Sequence, residues 1–239
     1  MKNNKYKLTN KSIDWCGKKL FQIEALMDFG IVKKGELGGY IEKEGNLSVY
    51  GNAMVSGNAW VSGDASVSGN ASVSGNAMVS GNARVSGDAS VSGNAMVYGD
   101  AMVYGDAMVY GNAMVSGNAM VYGNAMVSGN AMVSGNAWVY GNAMVYGDAM
   151  VYGNAMVSGN AWVSGNAMVS GKFSLTCGFF FGMKYNNEEI KTFKTADGEE
   201  IIYKGSNAKI EPIEPEVPTF KGKKVSVELD GVKYTATID

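Results

Sequence analysis

From Gly45 to Gly165 apolar and polar positions recur in one six-residue phrase, Gly-(Asn/Asp)-Ala-x-Val-(Ser/Tyr), carried through 21 units without an insertion. In Ala53-Met54-Val55 the side chains alternate, so Ala and Val share one side and Met takes the other. Small Ala and β-branched Val suit a packed interior. Ser56-Gly57-Asn58 is then a corner, because Gly and Asn tolerate the positive φ of a sharp turn. A hexapeptide period belongs to the parallel β-helix group of solenoids. Three strands and three corners close a triangular coil of 18 residues. Seven coils at the strand spacing make an all-β prism about 33 Å tall.

The interior positions hardly vary, so the outward strand position carries the choices. Every third unit falls on one face. The first face reads Trp60, Met78, Met96, Met114, Met132, Met150, Met168. The second reads Met54, Ser72, Ser90, Met108, Met126, Met144, Trp162, and the third Ser48, Ser66, Arg84, Met102, Met120, Trp138, Met156. From Met96 onward every outward residue is Met or Trp. Corner positions follow the same trend, and Tyr104, Tyr122 and Tyr140 are expected to stack on one corner. A face about 20 Å by 33 Å covers roughly 650 Å². Apolar patches on monomers rarely exceed a few hundred Å², and Met and Trp are the adaptable and anchoring residues of interfaces. These rows and the Tyr column are the candidate protein-binding sites. Duplication copying one Met many times is the bland alternative, and it does not explain why the charge that usually protects a solvated sheet is missing.

The flanks divide the chain into an N-terminal cap (1–44), the β-helix (45–170), a C-terminal cap (171–209), and a Pro-containing linker with a tail hairpin (210–239). Strands are expected around Tyr6-Lys7-Leu8 and over Lys19 to Ile23, with Leu47 plugging the mouth in place of Ala. Cys177-Gly178-Phe179-Phe180-Phe181 supplies bulk to close the far end. Asp197-Gly198 and Asp230-Gly231 each mark a hairpin turn. Residues 1–44 hold nine Lys against six acidic groups, a net +3. The repeats hold Arg84 against Asp64, Asp88, Asp100, Asp106 and Asp148, a net −4. No basic stripe exists, which disfavours nucleic acid. No stretch is apolar enough to span a bilayer and no apolar signal region follows Met1 to Lys5, so a cytoplasmic protein with reduced Cys16 and Cys177 is expected.

The hexad spacing resembles that of left-handed β-helix hexapeptide proteins, and left-handedness follows from that resemblance. Enzymes of that group are mostly acyltransferases, which would imply a catalytic His and loops projecting from the coils. This chain has no His, and its units carry no inserted loop. Its corner Ser residues have no base beside them, so catalysis is not expected. No metal or cofactor is expected either: Asp88 with Asp106 makes two carboxylates on adjacent coils, and the Met thioethers lack Cys or His helpers for Cu(I).

Leu20 to Leu26, Asp28-Phe29-Gly30, Leu37-Gly38-Gly39-Tyr40-Ile41-Glu42 and Asn46-Leu47-Ser48 resemble the N-terminal block of a family of phage and prophage hexapeptide proteins. In that family the block leads directly into units of the Val-Tyr-Gly-Asn-Ala kind, over roughly residues 6–170 here. The resemblance implies fold and origin rather than an activity. Family members often carry Arg or Lys outward, where this chain has only Arg84. The expectation is a non-catalytic binding module in an infected or lysogenic bacterial host, associating with itself as a dimer or trimer and with a host protein, plausibly a defence component. A self-assembling virion or filament component is the alternative.

Overall fold

In the computed structural model the hexads fold as their pattern demands. The structure describes residues 3–181 and, as backbone alone, the strands Lys184–Tyr185, Lys191–Lys194, Glu200–Tyr203, Lys224–Leu229 and Val232–Thr237. Successive two-residue strands rotate through three parallel sheets and build a β-solenoid of about eight turns. Partners lie 18 positions apart, as in Met96 with Met114 and Val97 with Val115. Ala and Val point inward and are buried from Ala53 to Val169. At roughly 1.5–3 kcal/mol for each buried Val, stacking accumulates stability that one coil lacks.

The corners explain the invariant glycine. Gly81 sits at φ +70°, and a Cβ there would lie 2.9 Å from the backbone N of Gly99 in the next coil. Glycine is required twice over, by backbone conformation and by the closeness of the coil above. Most hexads send three backbone N–H groups to the next coil. Met54, Ser56 and Asn58 donate to the carbonyls of Ala71, Val73 and Gly75 at 2.8–2.9 Å.

Within each strand pair the Val N–H bonds the other way, to the outward residue's carbonyl one coil back, so the first coil presents mainly carbonyls at the N-terminal mouth. The mouth needs donors, and three devices supply them. On the first face, strand β3 (Leu37–Ile41) pairs in parallel with Trp60–Val61, and the antiparallel strands β1 (Tyr6–Trp15) and β2 (Lys18–Ala25) extend the same sheet outward. On the second face, the Lys5 ammonium donates to Ala53 O at 2.7 Å and Ser48 O at 3.1 Å. On the third, the buried Asn46 amide donates to Gly63 O and Ala65 O. The Tyr6 hydroxyl, with one proton to donate, lies 2.6 Å from Glu44 O and 2.7 Å from Leu47 O and serves them in turn.

The first unit departs from the simple count. Leu47 faces Val67 rather than Ala65, and Ser48 N donates to Val67 O. Tyr40 pairs with Trp60 in the same offset as Leu47 with Val67, and the regular 18-residue offset starts at Met54 with Ser72, so two extra residues between Leu47 and Met54 shift the phase and Ser48 leaves the third outward row, which begins at Ser66. Leu47 is nevertheless the buried plug that its size suggests. At the far end, Phe179–Phe181 pairs in parallel with Trp162–Ser164, and Lys184–Tyr185 with Met168–Val169. These residues prolong the solenoid past 170; Phe173 and Phe180 fill its interior while Phe179 stands outward. Lys191–Lys194 pairs with Glu200–Tyr203, and Lys224–Leu229 with Val232–Thr237, both antiparallel, where the two hairpins were expected. The linker at 210–218 lies outside the described residues. The chain divides into two compact units, Met1–Ser206 and Asn207–Asp239.

Candidate functional site: three ladders of outward side chains

Strand pairing assembles the outward rows. Trp60, Met78, Met96, Met114, Met132, Met150 and Met168 are successive partners in one sheet. Met54, Ser72, Ser90, Met108, Met126, Met144 and Trp162 follow one another in the second. Ser66, Arg84, Met102, Met120, Trp138 and Met156 do so in the third. This chain is a β-solenoid repeat protein. It is similar to the family described as the YdcK β-solenoid repeat, which matches it over residues 49–63 and, in overlapping stretches, 71–165. No curated protein matches it.

Within these rows the thioethers are less bare than the count of apolar residues implies. Most outward Met side chains are half-buried, because each lies between row-mates one coil above and one below. The exceptions follow from their neighbours. Met108 is 40% exposed beside the short Ser90, and the larger Trp138 is 38% exposed. Arg84 is exposed between Ser66 and Met102. The rows therefore form continuous ridges, already packed along the axis, whose outer flanks remain open.

The expected Tyr column is present. Tyr104, Tyr122 and Tyr140 stack with ring centroids 4.9 Å apart and planes within 2° of parallel. Burial between its mates, and then the charge that either would carry if ionised, raises the Tyr122 phenol above its ordinary pKa. The column stands at the corner joining the Met102–Met120–Trp138 ridge to the Met108–Met126–Met144 ridge, so apolar side chains run around that edge. Two aromatic clusters end the ridges. Trp15 of β1 lies 5.3 Å from Trp60, and Trp162 meets Phe179 edge-on at 4.8 Å with Tyr146 beside it. Sequence reasoning missed Trp15, which stands outside the regular phrase, and assigned Phe179 to the closing core, whereas its ring stands outward against Trp162.

Corner amides form a second set of ladders. Asn58, Asn76, Asn94, Asn112 and Asn130 each donate to the residue one coil on, and the chain of bonds ends at Asp148. The other two columns are shorter. One bonds Asn82 to Asp100 and, separately, Asn118 to Asn136 and Asn154; the other bonds Asn52 to Asn70 and Asp88, then Asn124 to Asn142 and Asn160. A carboxylate accepts but cannot donate, so each Asp that a ladder reaches ends it.

Apart from Tyr122, the ionisable groups with shifted pKa values gather in the N-terminal cap and the first coil. Burial lowers the Lys5 ammonium to about 8; the residue is 3% exposed, and its Nζ lies 4.4 Å over the Phe29 ring. Tyr6 is raised, first by burial and then by Glu44. The Gly63 N–H, followed by Lys18, lowers Glu42, and a side-chain bond between Lys43 and Asp64 raises the former and lowers the latter. A shallow apolar cleft beside this cap is lined by Tyr6, Phe29, Val32, Leu37 and Met54. Among the described residues, no three His, Cys, Asp or Glu side chains converge as metal ligands. No helix there is long and apolar enough to cross a membrane. Cys16 and Cys177 are both free and exposed.

Proposed function

We propose that this protein is a non-catalytic binding module of phage origin that associates with itself and docks its Met, Trp and Tyr ridges on a protein of its bacterial host, blocking a cytoplasmic defence component. The observation that carries the reading is the chemistry of the outward positions. Beyond Arg84, the three ridges present thioethers, indoles and a few early Ser hydroxyls. Flexible thioethers beside rigid aromatic anchors are the composition of a protein interface rather than of a solvated sheet. The absence of His supports a non-catalytic role, and the phage-family resemblance of the N-terminal block supports the host context.

The test is capture from bacterial lysate. Met120→Arg with Met126→Arg flanks the Tyr122 column with charge at positions of the kind where the native chain already tolerates Arg84. The wild type should retain a host protein that this variant loses; equal recovery by both would overturn the assignment of the ridges. A second reading, a structural self-assembler, draws on the presence of more than one apolar ridge per rod, which permits growth beyond a closed pair. Light scattering separates the two, since open-ended growth with concentration supports assembly and a small fixed particle supports the module.

A further inference from the structure

The first face differs from the other two in three respects. Its ridge is apolar at all seven outward positions from Trp60 to Met168, whereas Ser72, Ser90, Ser66 and Arg84 interrupt the others. Its sheet runs on into the N-terminal cap, where Trp15 packs against Trp60. One margin is the longest unbroken amide ladder, Asn58 through Asn130, whose sole carboxylate is Asp148 at its end. The other margin carries Asp64 and Asp100 among its Asn, Ser and Tyr residues, and an apolar centre with a polar rim is the anatomy of a specific interface.

From these features we infer that the first face pairs with the same face of a second copy, the two rods lying antiparallel about a twofold axis. This names the self-association partner within the docking reading above and rests on it. The ridges repeat once per coil, at the 4.9 Å spacing that the stacked Tyr rings record. Only a surface with that same repeat interdigitates over the full height, and a second copy supplies it. Six residues per side at about 3.3 Å and seven coils at about 4.8 Å give roughly 650 Å². That lies within the 600–1,000 Å² or so that each partner of a standard interface buries. Full overlap about a twofold axis sets Met114, the middle of the ridge, at or within half a coil of its own copy. Met96 then faces the copy's Met132, and Met78 its Met150. A parallel pair, closed by a twofold axis along the rods, would set the two N-terminal caps, each net +3 over residues 1–44, side by side, whereas the antiparallel pair places them at opposite ends.

The experiment is native mass by light scattering on the full chain, with crosslinking as a second measurement. Wild type should measure twice the chain mass. Met114→Arg with Met132→Arg and Met150→Arg should halve that value. A milder Met→Ser version at the same three positions should weaken association, and Ser72 and Ser90 show that outward Ser fits the fold. In a background of Cys16→Ser and Cys177→Ser, Met114→Cys should form an intermolecular disulfide on addition of a thiol oxidant, and Met168→Cys should not, its twofold mate lying roughly 29 Å away along the axis. A wild type that stays single at high concentration would overturn the inference, and so would equal crosslinking at both positions. Loss of the pair in Met120→Arg with Met126→Arg, but not in the first-face variants, would overturn the choice of face while leaving the docking reading to its own capture test.

Discussion

Replacing Lys5 by Met tests the claim that the mouth of the solenoid is a carbonyl-lined end needing a donor. The Lys5 side chain is 3% exposed and titrates near 8 instead of 10.5. That difference corresponds to roughly 3 kcal/mol of penalty on the buried ammonium. Below about pH 8 the native state bears it in full. Between 8 and 10.5 the unfolded chain keeps a proton that the native chain has released, so stability rises with pH. Tyr6, raised by burial, works in the opposite sense, but only above the ordinary phenol value of 10, where the unfolded chain loses its proton first. The window from about 8 to 10 is therefore governed by Lys5 among the shifted groups. Lys5→Met removes the penalty together with the charged bonds to Ser48 O and Ala53 O, worth about 1.5–3 kcal/mol each. The two effects offset near pH 7. Urea midpoints followed by tryptophan fluorescence, with Trp15 and Trp60 reporting on the cap, should rise toward pH 10 in the wild type and stay flat in the variant. Parallel pH profiles for the two proteins would refute the reasoning.

Three further substitutions probe the repeat itself. Gly117→Ala forces a Cβ into φ +66° and to 3.0 Å from the Gly135 backbone. It should cost about 2 kcal/mol or more, whereas Gly45→Ala, with open space around it, should stay within about 0.5 kcal/mol; thermal melts compare the two. Val115→Ala empties a fully buried site and should cost about 2 kcal/mol in urea unfolding. Asn112→Asp keeps the bond accepted from Asn94 but loses the one donated to Asn130. A loss of about 1 kcal/mol is expected, and an unchanged melting temperature would show that the ladder contributes nothing.

How much was legible beforehand depended on whether the controlling rule was local. The outward ridges, the buried Ala and Val columns and the Tyr104–Tyr122–Tyr140 stack follow from a fixed coil of 18 residues, because equal coils turn register into counting. That counting failed where the phase changed, just after Leu47, since the chain takes two extra residues before Met54. It also placed the end of the solenoid too early, since Gly171 to Phe181 abandons the phrase while keeping the pairing. Half-burial of the Met ridges escaped a residue-by-residue reading, because the cover comes from neighbours 18 positions away.

The sequence by itself determined the period, the parallel three-sided architecture and which side chains leave the core. Only the tertiary structure decided which way the backbone bonds run and hence what each end lacks. Most of the coil carbonyls that bond between coils aim toward the N-terminal mouth, so Lys5, Tyr6 and Asn46 are drawn inward as donors, although nothing about these residues in the linear chain marks them for burial. The hexad is local and repeats its message 21 times, while closing an end is a single long-range event that each flank must solve once.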